Sequence, residues 1–228
     1  MQLNKLRAYL AQYSDWLNRP EAEQRLYYWE SLAVWQQNWD EEASDFGAML
    51  DQCLQNSKTR RLWKREAYEP KRMLLAFAEM DGHFVYSMFK DLFNEEKDTH
   101  SRADRFVFYC DEMLQQYRRQ YPTRIDNSHY HDDGNEMISL YLSFHYPERY
   151  APYSAERLQG LLRRLGAPNV PLAGDFPRHI KVMRTLQTFI NKEEILLERH
   201  QNRLRAEHYE GQSMLLAFDF ACFITEHS

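Results

Sequence analysis

Glycine is scarce in this chain, with 7 in 228 residues, and the 8 prolines gather in a few places. That excludes a sandwich or barrel, which needs a turn signal about every 8–12 residues. Cysteine is scarcer still. Cys53, Cys110 and Cys222 are far apart and odd in number, so there is no disulfide framework and no Cys-x-x-Cys pair. Each falls in an apolar helical pattern and is expected to be a buried small hydrophobe in a reducing compartment. No apolar run reaches the length that crosses a bilayer, and residues 1–5 lead into a polar amphipathic stretch rather than a signal-peptide core. A cytoplasmic protein with no membrane partner is therefore expected. The Walker A loop, Gly-x-Ser-x-Gly and His-Glu-x-x-His are all absent. A net charge of −5 excludes a globally basic nucleic-acid binder, although not a local basic patch.

What is present is helix. Hydrophobic residues make up 43% of the chain and aromatic residues 14%, enough for a substantial core. Leu3, Leu6, Leu10, Tyr13 and Leu17 share one helical face, and Pro20 sits where a helix starts. Asp40 with Glu41 and Glu42 reads as an N-cap for the helix carrying Phe46, Met49, Leu50 and Cys53. A short helix through Met73 and Phe77 stops near Asp81-Gly82, and Phe84 to Phe93 begin another. Ser101 to Asp104 resembles a capping box for a helix through Phe106 and Cys110. Pro147 ends the helix 137–144, and Tyr146, Tyr150 and Tyr153 are expected to hold the reversal, their hydroxyls reaching freed carbonyls. Gly166 closes the helix through Leu158 and Leu165. Residues 214–224 are apolar and aromatic, and helix is chosen over strand there. The fold class is all-α: a single orthogonal domain of roughly nine to ten helices over 1–228, in two subdomains that share a core and part near 121–133.

Three clusters invite a chemical reading. His129, His131, Asp132 and Asp133 could supply ligands to a divalent ion, but the set is incomplete and Asp133 suits a helix cap; no metal and no cofactor is expected. Asp81 or Asp91 with Glu95-Glu96-Lys97 imitates a nuclease signature, yet that signature sits on a strand and this one closes a helix. Trp16, Trp29, Trp35, Trp39 and Trp63, with Tyr27 and Tyr28, could stack on bases, although aromatics at helical spacing are usually core. Trp63 stands apart because its surroundings are polar and basic. Residues 57–72 hold Lys58, Arg60, Arg61, Lys64, Arg65, Lys71 and Arg72 against Glu66 and Glu69, a surplus of +5 that leaves −10 for the remainder. Such polarisation focuses a polyanion on one segment. These seven cations and Trp63 are the candidate nucleic-acid contacts; no catalytic residue is identified, and the chain is not read as an enzyme.

Asn38-Trp39-Asp40, Asp45-Phe46, Met49-Leu50, Pro70 and Phe77-Ala78 are followed by Met88-Phe89, Leu92-Phe93, Arg102, Phe106 and His129-Tyr130. Then come Ile138 to Leu142, Tyr146-Pro147-Glu148-Arg149-Tyr150, Tyr153-Ser154 and Leu165-Gly166. In order and spacing this resembles the helical N-terminal region of McrB-like AAA+ proteins, the motor subunits of modification-dependent restriction systems, from about residue 27 to the end. The segment from Lys58 to Arg72 is longer and more basic than is usual in that family, and Ala151-Pro152 replaces further aromatic and basic residues. The resemblance implies a DNA-recognition domain of a restriction or phage-defence complex, with an AAA+ motor module and a nuclease as partners. The alternative is a protein-interaction adaptor that docks on such a partner or senses a phage protein.

Overall fold

The computed structural model describes residues 1–57, 62–63, 69–123 and 134–227. Among them it holds ten α-helices, one 3₁₀ turn and no strand, the all-α architecture that the apolar spacing anticipates. In chain order these are α1 (Leu3–Trp16), the 3₁₀ turn (Pro20–Arg25), α2 (Tyr27–Asn38), α3 (Phe46–Cys53) and α4 (Pro70–Leu92). They continue with α5 (Thr99–Gln120), α6 (Glu136–His145), α7 (Ala155–Arg164), α8 (Phe176–Ile190), α9 (Glu194–Arg203) and α10 (Leu215–Glu226). Contacts divide the chain into two units, Met1–Leu32 with Ser139–Ser228, and Ala33–Ile138. The units part at 32/33 and 138/139 rather than near 121–133. The first 32 residues belong with the C-terminal part because α1 finds its apolar partners there, on α9 and α10.

The first unit is built around α10. Residues 215–224 are all buried, as expected of a helix that is apolar on every side. α7 and α8 pack on it, and α1 packs on it too. Its start is tied to the Tyr-Pro motif, since the Met214 N–H donates to the Pro147 carbonyl at 2.7 Å. Tyr150 and Tyr153 are buried in the reversal after α6. The Tyr153 hydroxyl accepts from the Asp175 N–H at 2.8 Å and so fastens the start of α8. Gly166 closes α7 at φ +63°, with the Ala167 N–H donating to Leu162 O at 2.9 Å. A side chain there would be strained by that φ, and the end of the Gln2 side chain, whose Cδ would stand 2.7 Å from an added Cβ, would have to shift.

In the second unit α4 and α5 pair, and α3 lies on α4. α4 breaks at Asp81 (φ −153°, ψ 85°), where the carboxylate accepts from the Phe84 N–H at 2.9 Å and caps the second half. Two caps differ from the sequence expectation. Asp45, not Asp40, caps α3 by accepting from the Ala48 N–H at 2.9 Å, while Asp40 closes a local turn onto the Glu42 N–H. Asp98 caps α5 one turn before Ser101-Arg102-Ala103-Asp104, accepting from both the N–H and the hydroxyl of Ser101. At α3 the cap is the aspartate next to the first buried residue, Phe46. Trp35 and Trp39 stack on each other at 4.8 Å and meet Phe93 edge-on, so these indoles are core rather than platform.

Candidate functional site

Of the 57–72 segment, Lys58, Arg60, Arg61, Lys64 and Arg65 lie outside the described residues. The other three candidates have definite places. Leu62 and Trp63 are buried, Trp63 at 2% exposure, so its ring has no free face on which a base could stack. The expected stacking role is thus corrected: burial of a large apolar ring outweighs the polarity of its neighbours. Lys71 is also not directed at a ligand. Its ammonium pairs with Asp51 at 2.8 Å and donates to the carbonyls of Asp51 and Leu54, closing the C-terminal end of α3. Arg72 stays 59% exposed, 3.6 Å from Glu69.

The remaining sequence candidates resolve simply. His129, His131, Asp132 and Asp133 lie outside the described residues, and among the described residues no three His, Cys, Asp or Glu side chains are grouped to hold a metal. Asp91 bonds Lys97 at 2.6 Å and Arg105 at 2.7 Å, while Glu95 pairs with the buried Arg102 at 2.6 Å. Those carboxylates tie α4 to α5, a structural arrangement. All three cysteines are free and buried. Burial pushes the Cys53 and Cys222 thiols up to about 12 and Cys110 well above its ordinary value, so none is an activated nucleophile.

Sequence reasoning missed a buried polar cluster centred on Asp219. Asp219, fully buried on α10, accepts from the Tyr13 hydroxyl at 2.7 Å, Arg25 Nε at 2.6 Å and Arg203 Nη2 at 2.7 Å. Arg203 also donates to the Ala22 carbonyl at 2.7 Å and to His200 Nδ1 at 3.1 Å, and its guanidinium lies over the Trp29 ring. Arg25 reaches Glu226 at 2.7 Å. Burial by itself would raise the Asp219 carboxyl; Arg203, Arg25 and Tyr13 outweigh it and hold it below the usual carboxylate range. Burial and Asp219 raise the Tyr13 phenol. The cluster joins α1, the 3₁₀ turn, α9 and α10 as a buried fastening, with Arg25 Nη2 the one nitrogen of its two guanidinium groups that is buried without a hydrogen-bond partner. A cleft of about 470 Å³ nearby in the same unit is lined by His200, Gln187, Asn191, Glu148 and Glu210 among others, with no lysine or arginine. It is therefore unsuited to phosphate.

A second basic surface was also missed. Residues 163–192 carry Arg163, Arg164, Arg178, Lys181, Arg184 and Lys192 against Asp175 alone. Asp175 caps α8 through the Arg178 N–H. Among the described residues, none of these six cations is within ion-pair distance of a carboxylate; the ion pairs are made by other residues. A charge count over this stretch, instead of over the most basic loop, would have found it. The −10 outside 57–72 is thus uneven rather than uniformly repellent.

Among the described residues the protein is all-helical. Compared with known protein families, curated proteins and solved structures, the chain finds no match.

Proposed function

We propose that this chain is a non-catalytic DNA-recognition domain of a restriction or phage-defence complex, in which nucleotide hydrolysis and DNA cleavage belong to an AAA+ motor and a partner nuclease. The observation that carries the reading is the charge of segment 57–72. It holds a surplus of five positive charges; of its described residues, Leu62 and Trp63 are buried and Lys71 is bonded to the end of α3. The contacts are assigned to Lys58, Arg60, Arg61, Lys64, Arg65 and Arg72. Three or four phosphate contacts give a salt slope near −3 on duplex DNA, from about −0.9 per contact. The test is R61E/K64E/R65E in fluorescence anisotropy with a short duplex. Most affinity should vanish with the melting temperature unchanged, because exposed charges contribute little to folding.

The adaptor reading rests on a different surface. Phe108 on α5 is 58% exposed beside Tyr109, which in turn meets Phe84 of α4 edge-on. An exposed aromatic group of this kind suits a protein partner. If the unmodified chain binds no DNA even in low salt, and F108A abolishes capture by a motor or nuclease subunit, the adaptor role replaces the reader role.

A further inference from the structure

The outer face of α8 differs from every other exposed helical face described in this chain. Arg178, Lys181 and Arg184 follow one another at three-residue spacing, Thr185 and Thr188 share the same arc, and Lys192 stands just past the helix end. Lys181, Arg184 and Lys192 are exposed. No acidic residue occurs within the helix, whereas α5 interleaves Asp104, Arg105, Asp111, Glu112 and Arg118. A solvated charge run mixes signs in that way; this one does not. Like charges one turn apart repel, and among the described residues no carboxylate pairs with them; the acids nearest in sequence, Asp175 before α8 and Glu193 and Glu194 after Lys192, stand beyond the two ends of the run. A polyanion would supply the counter-charge that this helix lacks.

We infer that the α8 face binds the phosphodiester backbone of a nucleic acid, as a second contact surface distinct from 57–72. This rests on the nucleic-acid reading above. At 1.5 Å per residue, Arg178 to Arg184 spans about 9 Å, enough for two or three phosphates of one strand at their 3.4 Å axial spacing. Arg178 is held in position by its bond to the Asn169 carbonyl. Guanidinium forks suit phosphate oxygens better than single ammonium points do. An anionic membrane fits less well. The apolar side of α8, through Phe176, Ile180, Met183, Leu186 and Ile190, is buried within its own unit and is not available for insertion.

The test compares four chains by anisotropy with a 20-base-pair duplex: the unmodified protein, R61E/K64E/R65E, K181E/R184E/K192E, and the combination of both triples. The three α8 side chains are exposed and make no ion pair, so thermal melts should coincide. K181E/R184E/K192E is expected to weaken binding at least tenfold. In the R61E/K64E/R65E background, the α8 face alone should leave binding with a salt slope of about −2.7, roughly a 40-fold loss between 50 and 200 mM salt, and the combined variant should lose it. If the α8 triple changes neither affinity nor slope while R61E/K64E/R65E abolishes binding, the α8 inference fails and the reader function stands. If the unmodified chain does not bind at 50 mM salt, both fail. Binding to vesicles of anionic lipid that depends on α8, without binding to the duplex, overturns the nucleic-acid assignment of this face.

Discussion

Asp219→Asn is the most informative single substitution in the first unit. The amide keeps the size of the side chain but removes the charge that Arg25 and Arg203 share, and it places N–H donors where oxygens now accept three bonds. Arg25 keeps Glu226, which is 46% exposed, so the greater loss falls on Arg203, itself 4% exposed. Removing one partner from a buried charge cluster costs about 3–5 kcal/mol, a large fraction of the 5–15 kcal/mol that typically separates folded from unfolded chains. For a chain of this size that corresponds to a melting temperature lower by roughly 6–20 °C. Urea unfolding followed by circular dichroism reads the loss as a lower midpoint with unchanged slope. Tyr13→Phe removes one of the three bonds and should cost about 1.5–3 kcal/mol, the range for a bond to a charged group. The two changes share one acceptor, so the double variant should lose less than the sum. Replacing the cluster with apolar residues of matched volume is a separate matter and can be neutral. A loss below about 1 kcal/mol for Asp219→Asn would refute the view that the cluster fastens α1, α9 and α10.

The buried His179 and the half-buried His200 make stability depend on pH. Burial, with Arg157 adding to it, lowers His179 to about 4, and burial with Arg203 lowers His200 to about 3. The unfolded chain protonates both near 6.5, so it binds more protons than the folded chain in the window below that value. Stability is therefore full above pH 6.5 and falls as pH drops toward 4, by up to about 1.4 kcal/mol per pH unit for each histidine. Denaturation midpoints at pH 7 and pH 5 check this; His179→Gln should flatten the dependence by one histidine, and a flat profile in the unmodified protein contradicts it. Trp63→Ala should cost about 3–5 kcal/mol as a core truncation, with the salt slope of DNA binding unchanged. If the variant keeps its melting temperature and loses DNA binding instead, Trp63 acts as a contact and not as an anchor.

Periodicity determined the helices. Side chains three and four residues apart share a helical face whatever the rest of the chain does, so the apolar spacing located the segments, the break at Asp81, the stop before Pro147 and the glycine closure at 166. The burial of the three cysteines was legible for the same reason. Cap identity was less so, because Asp40 and Asp45 are both good caps and the apolar contacts of Phe46 choose between them. Only the tertiary structure decided the rest. Asp219 looks like an interruption in an apolar run, and its partners Tyr13 and Arg25 are 206 and 194 residues away. Trp63 sits among cations in the sequence and yet is buried, and Lys71 reads as a basic contact and yet closes α3. The six cations of 163–192 were visible as letters, but their lack of carboxylate partners was not. Helical period is a local property fixed within a turn or two; ion pairing and burial depend on which helices meet, and that is settled by packing between segments far apart in the chain.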